Sequence, residues 1–219
     1  MKTKILLLFA LLTVGVASAQ NAIISRFNEA ATAIHKQDFN AAITLLENVL
    51  TRGAKSNDEK VAKCIALAKK YLPACYQAVG IAAIEQKNYT KAAEQLIEAM
   101  CKAEISGDSN AVAKANNLLT KVYRIQGGEA INAKDYATAA TLLEKGYAIN
   151  PNNVAIALDL AVCYCELGKQ TEGFALFDKI CAMPADKYAE FITKAKEKKK
   201  AYLAAQKEAK PEEKPTEQK

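Results

Sequence analysis

The residues able to do chemistry in this 219-residue chain are few and widely spaced. Six cysteines (64, 75, 101, 163, 165 and 181) and one histidine, His35, are the candidates for nucleophilic, redox or metal chemistry. A zinc site is built from thiolate and imidazole ligands at close spacings, but the chain has no C-x-x-C and only one His. On a helix, Cys163 and Cys165 point to different sides. Cys64 and Cys75 lie ~16 Å apart along one helix, beyond the reach of a disulfide. The even count still leaves a pairing open in an exported chain, while buried, unpaired thiols acting as small apolar side chains are favoured. His35 has no nearby nucleophile or carboxylate to make it a general base, and it reads as a solvent-facing or capping residue. The carboxylates sit beside lysines at helical spacing, as in Lys91 with Glu94 and Glu98 with Lys102, which makes them surface pairs. Gly127-Gly128 lacks the strand and the Lys-Ser/Thr of a phosphate loop, so it reads as a close helix contact. The sequence therefore predicts no catalytic residue, no cofactor and no metal.

The elements around these residues must be helices. Ala is abundant, Gly and Pro are few, and long runs carry no breaker. Residues 1–19 are set apart by Lys2 and Lys4, an apolar run from Ile5 to Val16, and the small-x-small site Ala17-Ser18-Ala19. That is a signal peptide, because the run is too short to span a bilayer. The mature chain then starts near Gln20 and is placed in the periplasm or cell envelope. Residues 20–193 hold 19 basic and 19 acidic side chains, so the body is neutral and leaves no electrostatic footprint for nucleic acid. The basic excess lies in the tail. Residues 209–219 are almost wholly Lys, Glu, Gln, Pro and Thr and are expected to be disordered and solvating.

Residues 20–208 contain an internal repeat. Phe39, Tyr89 and Tyr136 are each followed three residues later by Ala (Ala42, Ala92, Ala139) and seven later by Leu (Leu46, Leu96, Leu143). A fourth copy has Gln170 for the aromatic and Gly173 for the Ala. These positions share one helix face, where a small residue lets another helix come close. Upstream of each lies a first helix with small residues (Ala30-Ala31, Gly80, Gly127-Gly128, Ala161) and then an apolar one, aligned as Ile34, Ile84, Ile131 and Tyr164. In that alignment the first three turns are one residue shorter than the fourth. Ser56 with Glu59 reads as a capping box opening a long helix over 57–87, bent or broken at Pro73. A second long helix is expected over 109–133. A capping helix over 186–208 packs Tyr188, Phe191, Ile192, Ala195 and Tyr202 on the last repeat.

At these residues the chain resembles the tetratricopeptide repeat family. The last unit carries it best, with Leu160-Ala161-x-x-Tyr164-x-x-x-Gly168, the turn Asn150-Pro151-Asn152-Asn153, and the 34-residue step from Tyr136 to Gln170. The resemblance implies an all-α, right-handed α-solenoid of about four helical hairpins, with elongated helices between the first three and a C-terminal cap. In its register Cys75 and Cys101 fall at the same end of one hairpin, which makes them the candidate disulfide. It also implies a concave face built from the first helices, with Asn28, Thr32, His35, Glu85, Glu129 and Asn132 as its lining. The carboxylate clamp of one subfamily is not matched, because Arg124 is followed by Gly128 where an Asn would stand. The implied function is a non-catalytic scaffold that holds another exported protein or peptide. The alternatives are a structural subunit of an oligomeric envelope assembly and, far behind, an envelope-polymer hydrolase.

Overall fold

The computed structural model describes residues 18–209. The expected signal peptide and tail lie outside the described residues, except where helices reach Ser18, Ala19 and Ala209. Within that span the chain is all helix and turn, with no strand. Its elements are α1 (Ser18–His35), α2 (Phe39–Gly53), α3 (Glu59–Glu85), α4 (Tyr89–Ser106), α5 (Ser109–Asn132), α6 (Tyr136–Ile149), α7 (Val154–Glu166), α8 (Gln170–Cys181) and α9 (Ala185–Ala209). Each helix packs on the next in sequence, each odd helix also packs on the next odd one, and no other pair packs backbone against backbone. That nearest-neighbour pattern is an α-solenoid.

The four hairpin turns are built alike. Gln37, Lys87, Lys134 and Gly168 adopt left-handed backbone, with φ of 62°, 58°, 59° and 77°. Their N–H groups donate to the carbonyls of Ile34, Ile84, Ile131 and Cys165, and the next N–H in each case reaches Ala33, Ala83, Ala130 or Tyr164. This pair of bonds satisfies carbonyls that a helix end would otherwise orphan. Asp38, Asn88 and Asp135 then cap the second helices by accepting from Ala41, Lys91 and Thr138. Lys169 makes no such cap.

This bonding corrects the sequence alignment. The four turns have one length, and Ile34, Ile84 and Ile131 are equivalent to Cys165, not to Tyr164. Only the fourth turn marks its left-handed residue with a glycine, so the other three offered no landmark. Two smaller corrections concern α3. Its N-cap is Asp58, which accepts from Lys60 and Val61, while Ser56 only accepts from the Asp58 N–H. The helix also runs unbroken through Pro73. Proline removes one N–H donor, but here both flanking halves are braced. Gly53 of α2 lies against Val61 and Ile65, and Gly80 lies against Leu96 of α4. α9 departs from helical backbone at Tyr188 (φ −126°, ψ 18°), just after the turn at Pro184.

The core follows the repeat. Leu46, Leu96, Leu143 and Phe177 occupy equivalent positions and are fully buried. Four apolar clusters run along the stack, and Met100 and Tyr147 each belong to two of them. Ile192 and Ala195 of α9 close the last cluster, with Tyr188, Phe191 and Tyr202 beside them.

Glycines at the helix crossings have little room. A Cβ on Gly173 would stand 2.5 Å from Cys165 Sγ and 2.8 Å from the Ala161 carbonyl oxygen. Gly173→Ala is expected to destabilise by about 1–3 kcal/mol through overpacking. A Cβ on Gly128 meets nothing within 4 Å, so Gly128→Ala should stabilise by about 0.5–1 kcal/mol through helix propensity. Urea denaturation of the two variants measures both, and equal midpoints would contradict the packing described.

Candidate functional site

Contacts between α1 and α3, α3 and α5, α5 and α7, and α7 and α9 place the odd helices side by side, whereas no two even helices bring their backbones together. The odd helices therefore form the shorter, inner side of the stack. Gly80, Gly127 and Ala161 face their own second helix, against Leu96, Leu143 and Gly173. Residues one and five positions later are rotated by about 100–140° and look away from that partner. On α3, α5 and α7 these are Ile81, Gly128 and Val162, followed by Glu85, Asn132 and Glu166. Ile81 is 39% exposed, unusual for a residue of its type. The inner face thus has a floor of small and apolar side chains and a polar rim at the C-terminal ends of the helices.

The six lining residues expected from sequence are all exposed and all lie on α1, α3 or α5. His35, Glu85 and Asn132 are the last residues of those helices, hence equivalent, and form the rim together with Glu166. Thr32 and Glu129 are also equivalent to each other but turn about 60° further from the floor. Thr32 moreover donates its hydroxyl to the Asn28 carbonyl. Sequence reasoning missed Glu166, and it missed the charge row that links three inner helices. Arg124 Nε lies 3.9 Å from Asp159 Oδ2. Burial pushes the Asp159 carboxyl up, while Arg124 and Lys194 of α9 pull it down. Aligning the turns on the residue before each cap would have revealed Glu166. Nothing in the sequence joins Asp159 to α9.

The buried thiols are poor nucleophiles. Burial pushes Cys75 and Cys163 up to about 12 and Cys165 up to about 11, from an ordinary value of 9.0. Cys75 and Cys101 are unbonded thiols. The geometry explains this. Cys75 is buried in the hairpin, whereas Cys101 lies about 140° around α4 from Leu96, the side chain set against α3. Among the described residues no three His, Cys, Asp or Glu side chains are grouped to hold a metal ion, and no helix is long and apolar enough to cross a membrane.

The fold thus defines an all-α solenoid of helical hairpins with one continuous inner face. The tetratricopeptide repeat family model matches residues 130–180, from the end of α5 through most of α8, and supports that family for this chain. No curated protein and no solved structure matches the chain.

Two measurements bear on the thiols. At pH 8, an alkylating reagent should label Cys101 and Cys181, which are partly exposed, well before the four buried thiols. In denaturant without reductant all six should react, and a protected pair would restore the disulfide. Because folding favours the protonated form of Cys75, Cys163 and Cys165 and of Tyr164, whose value rises to about 12, the unfolded chain loses protons first. Stability should hold below the ordinary thiol value of 9.0 and fall as pH rises from there toward about 12. A denaturation midpoint that is constant to pH 11 would contradict this.

Proposed function

We propose that this chain is an exported, non-catalytic scaffold that holds a segment of another exported protein along its inner face. The observation that carries the reading is the inner face itself, where Ile81, Gly128 and Val162 make a floor and His35, Glu85, Asn132 and Glu166 make a rim. An extended peptide or a helix presents alternating apolar and polar contacts at matching intervals. The surface is built on helices and needs no loop to order, which lowers the entropy lost on binding. Tetratricopeptide repeats generally mediate protein–protein interaction, and the match over residues 130–180 supports the same role here. The leader-like residues 1–19 support export to the periplasm or cell envelope.

The test places a photo-crosslinking residue at Ile81 or Val162 in the full chain expressed in its native cell. A discrete protein adduct is expected from these positions and not from Glu94, an exposed residue of α4. Glu85→Lys with Asn132→Lys should reduce the adduct at least ~5-fold, as rim charges of the wrong sign repel a partner selected against them. Equal adducts at Glu94 and Ile81, or indifference to the rim charges, would discredit the inner face. Amino-terminal sequencing of the accumulated protein should begin near Gln20. A retained Met1 in soluble cytosolic material would overturn the export reading.

A further inference from the structure

The even helices lean on the odd helix between them, and their backbones do not pack on each other. Each neighbouring pair therefore leaves a cleft, and the three clefts are filled differently. In the first, Glu47 of α2 accepts the phenol of Tyr76 of α3 at 3.1 Å. Lys102 of α4 closes it, with Nζ 2.6 Å from Glu47 and 5.9 Å from the Tyr76 ring centroid. A carboxylate, a phenol and an ammonium thus come from three successive helices. In the second cleft, Lys145 of α6 stands 5.9 Å from the ring of Tyr123 of α5. There Ile97 takes the place of Glu47, each being eight residues beyond the aromatic that opens its helix.

The third cleft has the carboxylate and the phenol, but its bridging ammonium, Lys179 of α8, reaches Tyr147 of α6 (5.1 Å to the ring centroid) and not the carboxylate. Glu144 of α6, equivalent to Glu47, accepts the phenol of Tyr164 of α7 at 2.9 Å. α8 adds a second carboxylate, Glu172, near its N-terminal end. What remains is a cavity of about 370 Å³ lined by Glu144, Tyr147, Leu160, Tyr164, Glu172 and Leu176, with two alanines. Two of the chain's own lysines stand near the tyrosines, but neither lines the cavity. Lys179 donates to the Tyr147 hydroxyl at 2.7 Å and to the Pro151 carbonyl at 3.3 Å. Lys169 lies 5.7 Å from the Tyr164 ring centroid. Among the described residues no cation pairs with Glu144 or Glu172. Both carboxylates help to hold the Tyr164 phenol protonated, after burial.

We propose that the cleft between α6 and α8 binds a lysine or arginine side chain of a partner protein, which supplies in trans what Lys102 supplies within the first cleft. The apolar stem lies along Leu160 and Leu176, and the cationic head lies between the two carboxylates beside the tyrosine rings. The volume is at the low end of the ~300–1,000 Å³ usual for ligand pockets, which suits one side chain. The cleft opens between even helices, on the side away from the inner face, so it stands or falls independently of the groove.

The experiment uses the full chain with ¹³C-labelled tyrosine rings, observed by NMR at low salt. The probe is Nα-acetyl-lysine N-methylamide, and its comparator is the norleucine analogue, which keeps the stem and lacks the charge. The lysine probe should shift Tyr147 and Tyr164 saturably, with a Kd on the order of millimolar, as expected of a single side chain. The norleucine probe should bind at least ~5-fold more weakly, and Glu172→Gln should weaken the lysine probe by at least ~5-fold. Tyr76, whose cleft is already closed, should not move. Equal response to the two probes, unchanged affinity in Glu172→Gln, or no shift at ~50 mM lysine probe would overturn the proposal. A full chain carrying Lys210→Ala, Lys214→Ala and Lys219→Ala serves as the check on self-occupancy. Without probe its Tyr147 and Tyr164 signals should match the parent, and displaced signals would make the chain's own tail the occupant, which sinks the partner assignment.

Discussion

Close approach of paired helices at a position without bulk is the constraint on which everything else depends. Gly80 against Leu96 and Gly127 against Leu143 are one contact made twice, and Gly173 against the Ala161 carbonyl brings the last pair as close from the second helix. A single hairpin made this way buries one side of each helix and leaves another apolar side open. The next hairpin covers it, and the core becomes a series of clusters joined through shared side chains such as Met100 and Tyr147. The array must then be closed, which α9 does through Ile192, Ala195 and its aromatic residues.

That linear arrangement sets where binding takes place. An enzyme site usually needs groups from several elements to converge on one point, shielded from water. Here the converging groups are one Tyr–Glu–Lys set that stitches α2, α3 and α4, and the inner face is a surface with no enclosure. Burial raises the thiols and phenols away from their reactive forms. The same burial that stabilises the stack therefore makes these groups unsuited to nucleophilic work near neutral pH.

Extra length in α3 and α5 changes the geometry without changing the rule. α3 has 27 residues against 15 in α2. Its first half meets Gly53 of α2 and its second half meets Leu96 of α4. The hairpins are thereby staggered, and the spacing between equivalent turns falls from 50 and 47 residues to 34 only at the last unit. Pro73 is tolerated within this long helix because each side of it has its own neighbour.

Much of this was legible in the residues. The aromatic, Ala and Leu at fixed spacing identify the second helices, and small residues upstream identify the first, because helix periodicity is a local property. The register of the first helices was not legible. Gln37, Lys87 and Lys134 take a left-handed backbone that their residue types do not announce, and the alignment slipped by one residue. That slip set Thr32 and Glu129 beside true rim residues and hid Glu166. By itself, then, the sequence determined the helices, their pairing and the absence of a metal-ligand pattern, all of which follow from spacing along the chain. Only the tertiary structure decided which lysine reaches which carboxylate, and that a cavity remains between α6 and α8. Those outcomes depend on side chains from three helices meeting in space, at separations that spacing along the chain does not encode.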